Sequence, residues 1–113
     1  MKKVNSDERG DIYELQFGKQ SYVLVTFNEG VARGGHWHKN MQMHTLIAGK
    51  MIVILKDMEI DNTYTKVMLP GDTLYIKPKV AHLFIAEKPS ILAETRKGGY
   101  EATEYSPYRK LVK

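Results

Sequence analysis

The chain has 113 residues, enough for one domain and too few for two. Hydrophobic residues make up 42% and charged residues 27%, an ordinary globular balance; there are no cysteines, which excludes a disulfide framework, a thiolate metal site and a cysteine nucleophile. The formal net charge of +4 comes from basic residues scattered along the chain, which suits an anionic small molecule better than nucleic acid, because the aromatics do not interleave with Lys and Arg as base stacking requires.

The N-terminus, Met1-Lys2-Lys3-Val4-Asn5, runs into acidic and polar residues, so no signal peptide is expected. No later stretch approaches membrane-spanning length, which makes the cytoplasm the expected location and a membrane an unexpected partner. The dominant period is two. Residues 11–17 alternate, with Tyr13, Leu15 and Phe17 on one face, and residues 20–27 repeat the pattern with β-branched side chains. Further strands are expected at 41–48, 51–56, 63–69, 73–77, 82–86 and 90–96. Breakers separate them: Asn28-Glu29-Gly30, Gly34-Gly35, Ala48-Gly49-Lys50, Asp61-Asn62, Pro70-Gly71-Asp72, Pro78 and Lys88-Pro89. About eight short strands without a convincing helix predict an all-β, single-domain antiparallel barrel or jelly roll over residues 7–96. The segment 97–113, with Tyr100, Tyr105, Pro107 and Tyr108, is expected to wrap across the barrel or reach a partner subunit. A domain this small has little excess core, so pairing into a homodimer through an exposed sheet edge would help it.

Chemistry concentrates in four histidines. His36 and His38 lie two apart, so on a strand they share a face; Trp37 between them points the other way. They follow Arg33-Gly34-Gly35, whose glycines allow a tight turn and leave space at a pocket mouth. If 41–48 is a strand, Gln42, His44 and Leu46 share one face and Met41, Met43 and Thr45 the other, while His82 opens a later strand. Imidazoles converging from separate strands suit either a divalent metal or proton transfer.

This spacing resembles the two motifs of the cupin superfamily. Gly30, His36-Trp37-His38 and Gly49 stand where the first motif needs them, but its acidic position holds Gln42. For the second motif Gly71 and His82 match, while Lys77 and Lys79 replace a proline and a glycine. Within cupins, Asp7-Glu8-Arg9-Gly10 with Glu14 resembles the opening of deoxysugar epimerases and of the cupin domain of capsular-sugar enzymes. Arg33-Gly34 followed by His36 resembles the epimerase motif in which arginine meets substrate phosphate and histidine is the base. Gly35 to Lys39 resembles the capsular-sugar cupin domain, and Gln42 with residues 74–82 resembles sugar 3,4-ketoisomerases, which are implied to work without metal.

The resemblance implies an isomerase or epimerase acting on a 4-keto-6-deoxy nucleotide sugar by removing the proton beside the carbonyl. His36 is expected as the base, with His38 or His82 as orienter or second acid–base group and Tyr75 or a tail tyrosine returning a proton. Arg33, Gln42 and Lys39 are the expected substrate contacts, Arg33 on a phosphate. The donor set His36, His38, Gln42, His44 and His82 leaves two states open: no cofactor, or one divalent ion (Zn, Ni, Cu, Mn or Fe). Two other classes stand beside the isomerase. One is a metal-dependent, oxygenase-like cupin, disfavoured by the missing acid; the other is a non-enzymatic cupin that binds a sugar or other ligand.

Overall fold

A computed structural model of the chain describes residues 1–96 and 103–112, so Tyr100 lies outside the described residues. Each of the eight expected strand segments is present, with ends shifted by a few residues at most: β2 (Gly10–Phe17), β3 (Gln20–Phe27), β5 (Gln42–Ala48), β6 (Met51–Asp57), β7 (Asn62–Met68), β8 (Thr73–Ile76), β9 (Val80–Ala86) and β10 (Ser90–Arg96). Alternation did not reveal β1 (Lys2–Asp7), β4 (Ala32–Trp37) or β11 (Thr103–Glu104), nor the single-turn helix α1 (Ser106–Arg109). β1 is polar and exposed almost throughout, and only its antiparallel pairing with β2 identifies it as a strand. β4 contains Gly34-Gly35, which read as a breaker; in the structure the strand continues through them with a register shift where it pairs with β9.

The strands form two antiparallel sheets, ordered β1-β2-β3-β10-β5-β8 and β11-β4-β9-β6-β7. This is the all-β jelly-roll architecture that short, evenly spaced strands predict. Alternation decides what lies between the sheets. Val25 and Phe27 on β3, Leu46 on β5, Met51, Val53 and Leu55 on β6, Leu74 and Ile76 on β8, Val80, Phe84 and Ala86 on β9, and Leu92 on β10 are all buried there. On β2 it is Ile12 that meets this core, rather than the Tyr13–Leu15–Phe17 face; Phe17 is exposed and lies edge-on to Tyr22. Truncating a fully buried member such as Leu46 or Leu55 to alanine costs about 2–5 kcal/mol in sites of this kind.

The tail docks back on the domain. β11 adds to the edge of β4, with Thr103 opposite Trp37 and Glu104 opposite His36. The Tyr105 N–H then donates to the Gly35 carbonyl at 2.8 Å, and the Arg109 guanidinium donates to the Gly34 carbonyl at 3.1 Å. Lys56 Nζ donates to the Tyr105 hydroxyl at 3.0 Å and pairs with Asp61, two contacts that hold its pKa above the usual lysine range. Among the described residues, no helix is long and apolar enough to cross a membrane.

Candidate active site in the barrel

Sheet register builds the site. His36 on β4 stands directly opposite His82 on β9, and His38 follows at the end of β4. The His36 ring lies 4.6 Å from that of His38 and 4.8 Å from that of His82, both edge-on, while His38 and His82 stack at 5.2 Å. From the facing sheet, β5 turns Gln42 and His44 inward; the His44 ring is 6.0 Å from His82 and 4.8 Å from Phe84. All four histidines therefore gather between the sheets, His38, His44 and His82 buried and His36 half-buried.

The glycines make this approach possible. A Cβ on Gly34 would stand 2.7 Å from the His82 carbonyl oxygen, and one on Gly35 would stand 2.7 Å from the backbone of Arg109. Both residues have positive φ, 113° and 78°, which suits glycine. Thus Gly34 lets β4 come against β9 at the histidines, and Gly35 makes room for the tail.

The hydrogen bonds separate two groups of side chains. His82 Nδ1 lies 3.3 Å from the Val80 carbonyl, which can only accept; the proton is therefore assigned to Nδ1 and the Nε2 lone pair is left toward the cavity. Burial pushes the His82 pKa well below the usual value, and His44, His36 and His38 add to that, so the ring is neutral. His44 Nε2 lies 3.1 Å from Gln42 Oε1, which fixes the proton on that nitrogen. Of the five expected metal donors the structure brings three together: ring nitrogens of His36, His38 and His82 lie within 4.8 Å of one another. Gln42 and His44 instead pair with each other beside that triad. Zinc with nitrogen ligands at about 2.0–2.1 Å would need its donors roughly 3.3 Å apart, so small side-chain movements close the triad on an ion. A neutral imidazole with its second nitrogen tied to a carbonyl is the donor form a metal takes. The triad fits one divalent ion, which would supply Lewis-acid polarisation of a bound oxygen.

The cavity in front of these rings measures about 350 Å³ and is lined by Phe27, Phe84 and Leu92 as well as polar groups. Among the described residues three arginines line it: Arg9 from the β1–β2 turn, Arg33 from β4 and Arg109 from α1. Arg9 is held by Asp7 at 2.7 Å, and that contact keeps the Asp7 carboxyl well below the usual carboxylate range. Arg33 is buried, 4.0 Å from the same Asp7, and lies over the Phe27 ring at 5.4 Å. Its Nε is buried with no hydrogen-bond partner among the described residues, and burial followed by the neighbouring Arg9 works against its charge. Sequence reasoning anticipated Arg33 but not Arg9, Arg109 or Glu94, the one carboxylate among the described residues that line this cavity. Two expected contacts are not brought to it. Lys39 lies exposed in the turn after β4, and Tyr75 is 60% exposed because β8 buries the alternate residues Leu74 and Ile76. A wider surface concavity of about 800 Å³ beside the β2–β3 hairpin contains no histidine and shares Val23 and Glu94 with the inner one.

No protein-family model and no curated protein sequence matches the chain. Solved structures do. The capsular polysaccharide assembling protein CapF from Staphylococcus aureus superposes with a TM-score of 0.76 at 14% identity, over 86% of this chain and 28% of that one. An RmlC-like cupin from Shewanella frigidimarina gives 0.67 at 24% identity, over 80% of this chain and 78% of that one. An oxalate decarboxylase variant from B. subtilis gives 0.73 at 18% identity, over 87% of this chain and 29% of that one. The chain thus spans under a third of the CapF and oxalate decarboxylase chains, and at these identities the likeness carries the fold. The protein has the cupin fold.

Proposed function

We propose that the protein is an isomerase or epimerase acting on a 4-keto-6-deoxy nucleotide sugar. The observation that carries this reading is the buried Arg33 guanidinium, with a spare donor, opening onto the same cavity as a cluster of histidines of which His82 is held neutral. A buried cation that only partly meets one carboxylate favours an anionic ligand, and phosphate takes guanidinium in bidentate fashion. A neutral imidazole beside it can accept a proton made acidic by a neighbouring carbonyl. At about 350 Å³ the cavity is large enough for a sugar ring, at the lower end of small-ligand sites.

In this reading His36, the least buried of the four rings, takes the C3 proton, and His38 and His82 orient it through their edge and face contacts. Arg33, with Arg9 beside it, holds a phosphate oxygen of the substrate, and Gln42 orients His44 rather than ligating a metal. Tyr75 has no part in it. The setting we propose is a cytoplasmic homodimer.

The test is NMR of 4-keto-6-deoxy nucleotide sugars in D2O. Wild-type protein exchanges the C3 hydrogen of at least one sugar in a panel. The His36→Ala variant loses exchange by about 10²–10⁴-fold, the range of a general base. No exchange across the panel, in chelated or metal-supplemented buffer, sinks the isomerase.

A second reading draws on the nitrogen triad: a metal-dependent cupin in which His36, His38 and His82 hold one ion. Stoichiometric metal in protein purified without a histidine tag, together with oxygen consumption, would select it over the isomerase.

A further inference from the structure

Glu94 occupies a position that no spacing motif marks. On β10 it pairs with Val23 of β3 on one side and His44 of β5 on the other. Residues two apart on a strand share a face, and Leu92, two before it, is buried in the core against Val25 and Leu46. Glu94 therefore turns to the inner side of its sheet, one step nearer the mouth than Leu92. It is half-buried, and it lines both the histidine cavity and the outer concavity. The acid that is absent from β5, where Gln42 stands, thus enters the cavity from the adjacent strand. It is not part of the nitrogen triad, whose members sit on β4 and β9 and just beyond.

We propose that Glu94 carries a proton between the two neighbouring oxygens of the sugar during isomerisation, a role that rests on the isomerase reading above. Converting a 4-ketone to a 3-ketone moves one hydrogen from C3 to C4 and one proton from O3 to O4. His36 accounts for the first movement. It takes the C3 proton, and the C–H electron pair forms the C3–C4 double bond while the carbonyl pair passes to O4. The second movement needs a group that accepts from one oxygen and donates to the next. A carboxylate accepts a proton and, once it carries that proton, donates it onward. Glu94 takes the O3 proton and delivers it to O4, and the imidazolium then protonates C4 as the O3 pair closes the new carbonyl. His36 and Glu94 each end with the proton count they began with, so no further reactant is needed.

This division of labour is readable because hydrogen exchange at C3 requires only the first movement. The experiment compares C3 exchange in D2O with net isomerisation, both by NMR, for wild-type protein, Glu94→Gln and Glu94→Asp, on the sugar that wild-type exchanges fastest. Folding of each variant is checked by thermal melting. The expected result is a split: Glu94→Gln loses isomerisation at least ten-fold more than exchange, and Glu94→Asp recovers part of it. Equal losses in both readings, or full isomerisation by Glu94→Gln, overturn the role of Glu94 and leave the isomerase standing. Absence of exchange in wild-type protein overturns the isomerase and the role of Glu94 with it.

Discussion

At the scale of single residues, burial keeps His82 uncharged. Its folded-state pKa lies below the ordinary 6.5 chiefly because burial penalises the cation. The unfolded chain therefore binds a proton near pH 6.5 that the folded protein does not. Stability from this residue is fully present above about pH 6.5 and is lost as pH falls below it toward the depressed value. Each unit of depression corresponds to about 1.4 kcal/mol. Urea unfolding at pH 7.5 and 5.0 is expected to show a lower midpoint at pH 5.0, and His82→Phe, which cannot titrate, to narrow that gap; an unchanged gap would count against it. Alternation put His36 and His38 on one face in the sequence, while His82, on a separate strand, was legible through its place in the second motif. Glu94 was not legible, because β10 carries apolar residues on both faces: Ile91 and Ala93 on one, Leu92 on the other. Nothing local decides which face is inward. Nor does local sequence show that Gln42 and His44 bond to each other, a side-chain contact that depends on rotamer choice. Tyr75 could have been set aside, since Leu74 and Ile76 flank it as the more apolar alternates.

At the scale of elements, β4 and the tail form one unit. Reading Gly34-Gly35 as a chain break was reasonable, because both have the positive φ of a turn. Contacts distant in sequence make the segment a strand: β9 on one edge and β11 on the other. A Gly35→Ala substitution pushes a methyl into the Arg109 backbone and imposes a strained φ on alanine. It is expected to cost at least about 1 kcal/mol, the scale for alanine where φ is positive. The tail should loosen first, because a two-residue strand and a four-residue helix carry few contacts of their own. Amide exchange by mass spectrometry would show it: faster exchange over residues 103–112 with β6 and β9 unchanged is the expected pattern. Uniform acceleration would mean that the tail does not open separately.

At the scale of the whole molecule, the eight strands read from alternation were enough to place the chain among jelly rolls. Pairing partners were not readable, because antiparallel register depends on which apolar faces meet across the core. The outer side of the first sheet carries exposed apolar side chains around a hydrogen-bonded Thr45–Thr73 pair. Ile47 on β5, Tyr75 on β8 and Ile91 on β10 project from the outer side of the same sheet, 53%, 60% and 37% exposed. We propose that the homodimer pairs through this face rather than through a sheet edge. Sedimentation at micromolar concentration is expected to give twice the 13.0 kDa chain mass, and Tyr75→Glu to shift it toward one. A wild-type monomer at every concentration would remove the dimer from the proposal.

The single tryptophan has a consequence of a different kind. Trp37 sits on β4 between His36 and His38 and opposite Thr103 of the tail. Its indole is the only one in the chain, so its emission is a built-in optical gauge placed within one residue of two members of the nitrogen triad and across from the docked terminus. A quenching ion such as copper or nickel entering the triad, or the terminus lifting away, reaches the same chromophore by different physics. The first dims the emission and the second moves its wavelength. Unlabelled protein in a cuvette can therefore distinguish an occupied centre from an opened edge.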